Sequence, residues 1–344
     1  MLQLECFMEI ITDLSSFRKA EYPNLVVALG NFDGLHLGHM EILRLIRDRA
    51  KQINGTSAVF TFKEHPQRVL GGKDAPPILT SLVHKLFLLE QTGIDLCFLV
   101  DFTIPLSKTK AEDFVSERLI EQLGAREICL GFNARFGQGR QGDSPLMRQL
   151  SRIHSFAFIE APSFAIEGQV VSSSLIRSLV REGRLEEVPL FLGRPYSFFG
   201  TVVPGSGRGR QLGFPTANLD PHNEAMPPEG VYAAWVRIFD CEMVETKNHW
   251  YQLEKRLVGD HLKALLNYGK RPTFGRGEKA LPEVHILGFH DHLIGKTVEV
   301  EVGRRIRSEQ KFDDASKLKT QIFDDIKIAT KWFEKEEKER KYGT

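Results

Sequence analysis

The chain has 344 residues, enough for two ordinary domains with separate cores, and carries 46 Lys+Arg against 45 Asp+Glu. That balance excludes a general attraction to nucleic acid or anionic lipid, so an anionic ligand has to be held by local geometry. Cys6, Cys97, Cys129 and Cys241 stand far apart with no CxxC pair, which excludes a disulfide framework and suits a reducing compartment. No apolar run approaches the length of a bilayer crossing, and the first five residues place no basic region ahead of an apolar one. The expectation is a cytoplasmic protein with neither membrane nor nucleic-acid partners.

The first half alternates short apolar runs with amphipathic segments. Strands are predicted at 25–29, 57–62, 96–102, 127–132 and 156–160, and helices at 39–51, 81–91, 110–123 and 143–152. This alternation predicts an α/β domain, a doubly wound parallel sheet of Rossmann-like type covered on both faces. Such sheets bind ligands beyond the carboxyl ends of their strands, where the strand order reverses.

After Tyr196 the texture changes. Strands are predicted at 197–203, 231–238, 263–268, 284–289 and 297–302, followed by one long helix from Ala315 to about Lys335. Short consecutive strands with little helix predict a small antiparallel sheet or β-barrel closed off by a terminal helix. The boundary is placed near 187–194, giving domains 1–188 and 189–344. The charged stretch 240–262 reads as a surface hairpin or loop extension.

The stretch Gly30-Asn31-Phe32-Asp33-Gly34-Leu35-His36-Leu37-Gly38-His39 joins the first predicted long strand to the first helix. A helix N-terminus there offers free N–H groups and a positive dipole end to a phosphate. Gly34 and Gly38 allow close backbone approach or positive φ. His36 and His39 share a helical face if the turn is already helical, and could hydrogen-bond phosphoryl oxygens. A zinc pair and a purely structural turn are the competing readings. Zinc would need further ligands, and no cysteine or HExxH lies nearby.

In the second half, Gly205-Ser206-Gly207-Arg208-Gly209-Arg210-Gln211-Leu212-Gly213 leads into Phe214-Pro215-Thr216-Ala217-Asn218. Loop amides can cradle phosphates, and the Thr216 hydroxyl and Asn218 carbonyl are hard oxygen donors suited to Mg²⁺. A flexible surface turn is the alternative. The near-matches to a Walker A loop at 293–297 and to a dinucleotide fingerprint at 205–209 fail on spacing and context.

Together these strings resemble the prokaryotic bifunctional riboflavin kinase/FMN adenylyltransferase family. Residues 30–39 resemble the HxGH signature of nucleotidyltransferases. Thr61-Phe62-Lys63-Glu64-His65-Pro66, Gly131-Phe132-Asn133-Ala134-Arg135-Phe136-Gly137 and Ser172-Ser173-Ser174-Leu175-Ile176-Arg177 resemble further segments of that half, in order. "GRQLGFPTAN", "GVY", "NYGKRPTF", "EVH" and "RSEQKF" resemble the kinase half.

The resemblance implies catalytic roles for His36, His39, Asn133, Arg177 and Glu283, with Glu283 as the general base on the ribityl hydroxyl. It implies ATP or phosphate contacts at Gly30, Asn31, Phe32, Asp33, Gly34, Gly38, Ser172, Ser173, Ser174, Gly205, Arg208, Arg210 and Gly213. It further implies Mg²⁺ at Thr216 and Asn218, and flavin contacts at Phe62, Phe136, Arg307 and Phe312. The implied substrates are riboflavin, FMN and ATP, in a monomer or weak homo-oligomer. Ala134 departs from the family's usual aromatic, which sets the loss of adenylyl transfer beside the two-activity reading. A flavin-binding sensor or carrier that retains the folds is a separate alternative, which would call for eroded polar site residues.

Overall fold

The structure is a computed structural model that describes residues 8–71, 75–205, 207–222, 225–247, 249–269 and 281–342. Cys6, Ser206 and the 270–274 part of the kinase motif lie outside the described residues, as do the side chains of Arg208 and Cys241. The chain divides into two compact units, one formed by Met1–Ile78, Leu82–Ser173 and Glu242–Glu254, the other by Leu79–Ser81, Ser174–Cys241 and Lys255–Thr344.

The first unit contains β1 (Glu9–Ile11), β2 (Leu25–Leu29), β3 (Ser57–Phe62), β4 (Leu96–Val100), β5 (Ala125–Gly131) and β6 (Ala157–Ala161). These are parallel in the order β1-β4-β3-β2-β5-β6. The small hairpin of β7 (Ala165–Ile166) and β8 (Gln169–Val170) stands apart from them. Leu25, Val27, Ala58, Phe60, Leu96 and Phe98 join a core with Leu119, Met147 and Leu150. The intervening Val26, Ala28, Val59, Cys97 and Leu99 are equally buried. Both faces of the sheet are therefore covered, which is why its strands read as continuous apolar runs.

Strand order sets where a ligand can enter. From β2 the chain first winds outward through β3 to β4, then returns to the other side of β2 with β5 and β6. The reversal lies between β2 and β5, whose ends are paired at Leu29 and Leu130. The turn at Gly30 and the loop at Gly131 thus flank the crevice that a doubly wound sheet opens at its switch point.

The second unit is a closed antiparallel barrel of β9 (Ser197–Val203), β10 (Ala217–Pro221), β11 (Gly230–Lys247), β12 (Trp250–Tyr268), β13 (Glu283–Ile286) and β14 (Thr297–Arg307). Pairing runs β11-β14-β9-β10-β13-β12 and returns to β11. Helix Ala315–Tyr342 packs on β14, and its Ala329 and Phe333 are buried with Val231, Ala233, Trp235 and Leu265.

The charged 240–262 extension is a hairpin, formed by continuing β11 and β12 well past the predicted strands. Its surface reading is corrected at the tip, which is part of the first unit. There Tyr251 and Trp250 pair antiparallel with Ile10 and Ile11 of β1. Trp250 is buried against Phe17 and Tyr22, and its indole N–H donates to Ser16 Oγ at 3.0 Å. The charges misled because they line a strand whose few apolar residues find their partners far away in sequence.

Candidate active sites

In the first unit, β2 ends at Leu29 and the chain turns sharply before helix Leu37–Gln52. Phe32, Gly34 and Leu35 all have φ in the left-handed region (50°, 85° and 38°). Two of these are not glycine, so the turn holds local strain of the kind found at binding sites. Phe32, Asp33 and His36 are buried within it.

His36 is the N-cap of the helix: its Nδ1 accepts the His39 backbone N–H at 3.2 Å. An accepting Nδ1 places the proton of the neutral imidazole on Nε2, making that atom a donor. The His36 and His39 rings stack with centroids 3.7 Å apart and 13° between planes. A Cβ at residue 38 would sit 3.2 Å from His36 Nδ1, so glycine there leaves the cap room. Burial, then the neighbouring His36, pushes the His39 imidazole well below its usual range and keeps it neutral. Its buried Nδ1 has no hydrogen-bond partner among the described residues. Such an orphaned donor or acceptor fits a ligand's polar atom.

The serine-rich motif is tied to this turn. Ser173 Oγ donates to the Asp33 main-chain carbonyl at 2.9 Å. Ser173 begins helix Ser173–Glu182, which also carries Ser174 and the half-buried Arg177. Asn133 is exposed in the loop after β5, between half-buried Gly131 and Ala134. Asp143 caps the following helix through the Leu146 N–H and pairs with Arg135 at 2.6 Å. Ala134, Phe136 and Phe62 each pack against the core, Phe62 on Phe60 and Phe136 on Phe114.

The barrel assembles the second set. Across adjacent strands Asn218 of β10 opposes Glu283 of β13, and Glu283 opposes Asn267 of β12. Three motifs far apart in sequence therefore meet in one cross-strand row. The glycine-rich loop closes on it: a Cβ on Gly205 would collide with the Asn218 amide, and one on Gly209 would lie 2.9 Å from Thr216 Oγ1. Gly207 and Gly213 have φ of 70° and 89° and bracket the short helix Arg208–Leu212 that carries Arg210. His285 Nδ1 lies 2.8 Å from the Pro215 carbonyl and so steadies the Phe214–Asn218 segment.

A buried Asn218 and an exposed Thr216 under a glycine cradle offer hard oxygens of the kind Mg²⁺ prefers. No cluster of three His, Cys, Asp or Glu occurs among the described residues. A cation here would draw its other ligands from phosphate and water.

Farther along the barrel, Arg307 forks onto the buried Asp325 carboxylate (2.9 Å at both Nε–Oδ1 and Nη2–Oδ2) and lies 5.7 Å from the Phe312 ring centroid. Arg307 and Phe312 are brought together, with the guanidinium engaged in fastening the terminal helix to β14. Sequence reasoning did not single out Lys85, described below.

A doubly wound parallel sheet with a histidine-capped phosphate turn, followed by a barrel with a glycine cradle, defines a two-site nucleotide-using transferase. Comparison with known proteins gives the same division. A model of the FAD synthetase family matches residues 18–175, and one of the riboflavin kinase family matches 192–333. Bifunctional riboflavin kinase/FMN adenylyltransferases from Haemophilus influenzae and Escherichia coli are 34% and 31% identical, each over 95% of this chain and 99% and 98% of theirs. The Bacillus subtilis relative of the same description is 31% identical over 92% of this chain and 94% of its own. The chain belongs to the bifunctional riboflavin kinase/FMN adenylyltransferase family.

A solved structure described as a macrolide-efflux protein from Streptococcus pneumoniae is also similar, with a TM-score of 0.75, 29% identity, and 94% and 98% of the two chains covered. Among the described residues of the present chain, no helix is long and apolar enough to cross a membrane.

Proposed function

We propose that the chain phosphorylates riboflavin to FMN in its barrel domain and adenylylates FMN to FAD, releasing pyrophosphate, in its parallel-sheet domain. We assign these activities to residues 189–344 and 1–188. The observation that supports the proposal is that the FAD synthetase model covers the half with the histidine turn and the riboflavin kinase model covers the half with the Asn218–Glu283–Asn267 row.

In the barrel, Glu283 accepts the proton of the ribityl 5′-hydroxyl as that oxygen attacks the γ-phosphorus of ATP, and the bond to the β,γ-bridging oxygen breaks to release ADP. Such general-base help supplies about 10²–10⁴ in rate. Mg²⁺, held by Thr216 and Asn218, would neutralise phosphate charge. The glycine-rich loop orients the triphosphate, and positioning supplies much of the remaining acceleration. Phe312 and Arg307 frame the flavin side.

In the parallel-sheet domain, the FMN phosphate attacks the α-phosphorus of ATP directly. The stacked histidines face the α-phosphate and donate to its oxygens as charge builds there. Ser172, Ser173, Ser174 and Arg177 hold the phosphates that leave as pyrophosphate. Asn133 orients a substrate, while Phe62 and Phe136 bound the flavin. The protein acts in the cytoplasm as a monomer or weak homo-oligomer.

Incubation with riboflavin, ATP and Mg²⁺, followed by chromatographic separation of flavins, tests the proposal. FAD supports both activities, FMN alone restricts the chain to the kinase, and neither product overturns the enzyme assignment.

A further inference from the structure

Lys85 lies on helix Leu82–Glu90 of the parallel-sheet unit, yet it is only 5% exposed. Its ammonium donates to the Phe62 carbonyl at 2.6 Å and reaches Thr61 Oγ1 at 3.4 Å and the Asn31 carbonyl at 3.5 Å. The fully buried Thr61 hydroxyl itself donates to the Asn31 carbonyl at 3.3 Å. One side chain therefore joins the end of β3 to the turn after β2. That turn carries Asp33, the positive-φ residues and the two histidines.

We infer that Lys85 is a positioning residue for adenylyl transfer, a buried cation that holds the 30–36 turn and the Phe62 backbone in register at the switch point. The inference rests on the assignment of adenylyl transfer to this unit. A lysine buried without a role would be costly. Three oxygen acceptors and the nearby Asp33 carboxylate offset that cost here. The groups facing it are Asp33 from the turn, Thr61 from β3 and Cys97 from β4, whose thiol is pushed up to about 12 by burial and so stays neutral. Burial lowers the Lys85 ammonium to about 8, against the opposing pull of the Asp33 carboxylate. The hold is thus present below that pH and weakens as the lysine loses its proton.

The test uses the full chain, wild type and Lys85→Met, with FMN and MgATP as substrates and FAD as readout. The riboflavin-to-FMN step serves as internal control. We expect wild-type kcat/KM for ATP in FAD synthesis to fall above about pH 8, with no matching limb in the kinase step. Lys85→Met should lose about 10²-fold in kcat for FAD synthesis, the scale of a misplaced catalytic group, and should lack that alkaline limb. Its kinase rate should be unchanged. A variant within about threefold of wild type in FAD synthesis overturns the inference. Should Lys85→Met fail to fold, Lys85→Gln decides by the same comparison, and a rate of FAD synthesis within about threefold of wild type overturns the inference as well. Loss of FAD synthesis in the wild type itself would instead refute the functional assignment.

Discussion

The Ser173 hydroxyl meets the Asp33 main-chain carbonyl at 2.9 Å, across 140 residues of sequence. That bond joins the start of the serine-rich motif to the histidine turn. Removing it in Ser173→Ala should slow FAD synthesis from supplied FMN by roughly 3- to 10-fold, the worth of one neutral hydrogen bond of about 0.5–1.5 kcal/mol. The kinase step should keep its rate. Steady-state kinetics of the two half-reactions checks this.

His36 does two jobs that substitution can separate. As N-cap it stabilises helix Leu37–Gln52 by about 1 kcal/mol, and in the proposed reaction its Nε2–H would serve the phosphoryl group. His36→Asn keeps a good capping acceptor and should melt close to wild type, while losing about 10²–10³ in FAD synthesis. His36→Ala should lose both. Thermal melts paired with FAD assays distinguish the two functions.

The depressed His39 imidazole makes stability depend on pH. In the unfolded chain His39 takes up a proton near pH 6.5, whereas in the folded unit burial and then His36 keep it neutral well below that value. The unfolded state therefore binds more protons as pH falls below 6.5, so its share of stability is full above that point and declines below it. His222 in the barrel, lowered chiefly by burial, adds a similar dependence in the other unit. Comparing wild type with His39→Gln isolates the first: the loss of melting temperature between pH 7.5 and 5.5 should be smaller in the variant.

Glu283 stands between Asn218 and Asn267 in the barrel row. Glu283→Gln keeps its size and its place in the pairing but removes the proposed base. FMN formation should drop by about 10²–10⁴, and FAD formation from supplied FMN should continue. Loss of both activities would contradict two independent sites.

Much of this arrangement is legible in the sequence where apolar runs are continuous. Strands 25–29, 57–62 and 197–203 are read to the residue, because burial on both faces or in a barrel wall marks both ends. β11 and β12 are underestimated because between residues 239 and 262 charged residues break up the apolar pattern. β1 is missed since three residues hold no period, and only their distant partners make them a strand.

The same holds for the sites. His36 and His39 stand out through their glycine setting, but that the His36 ring caps the helix by accepting the His39 N–H depends on the fold of the turn. Lys85 has no local signal at all. A lysine ordinarily reads as solvated, and only its bonds to the Phe62 carbonyl and to the turn show that it is out of water.

The strand that Trp250 and Tyr251 lay along β1 also bears on how the molecule is made. A ribosome has completed the six parallel strands long before residue 250 emerges. Until then β1 is an open edge, with unpaired main-chain groups and an aromatic slot around Phe17 and Tyr22 awaiting the indole. The nascent first unit is consequently a species that must be kept from pairing with its neighbours. A gene fragment ending at the domain boundary would leave its product in that state permanently.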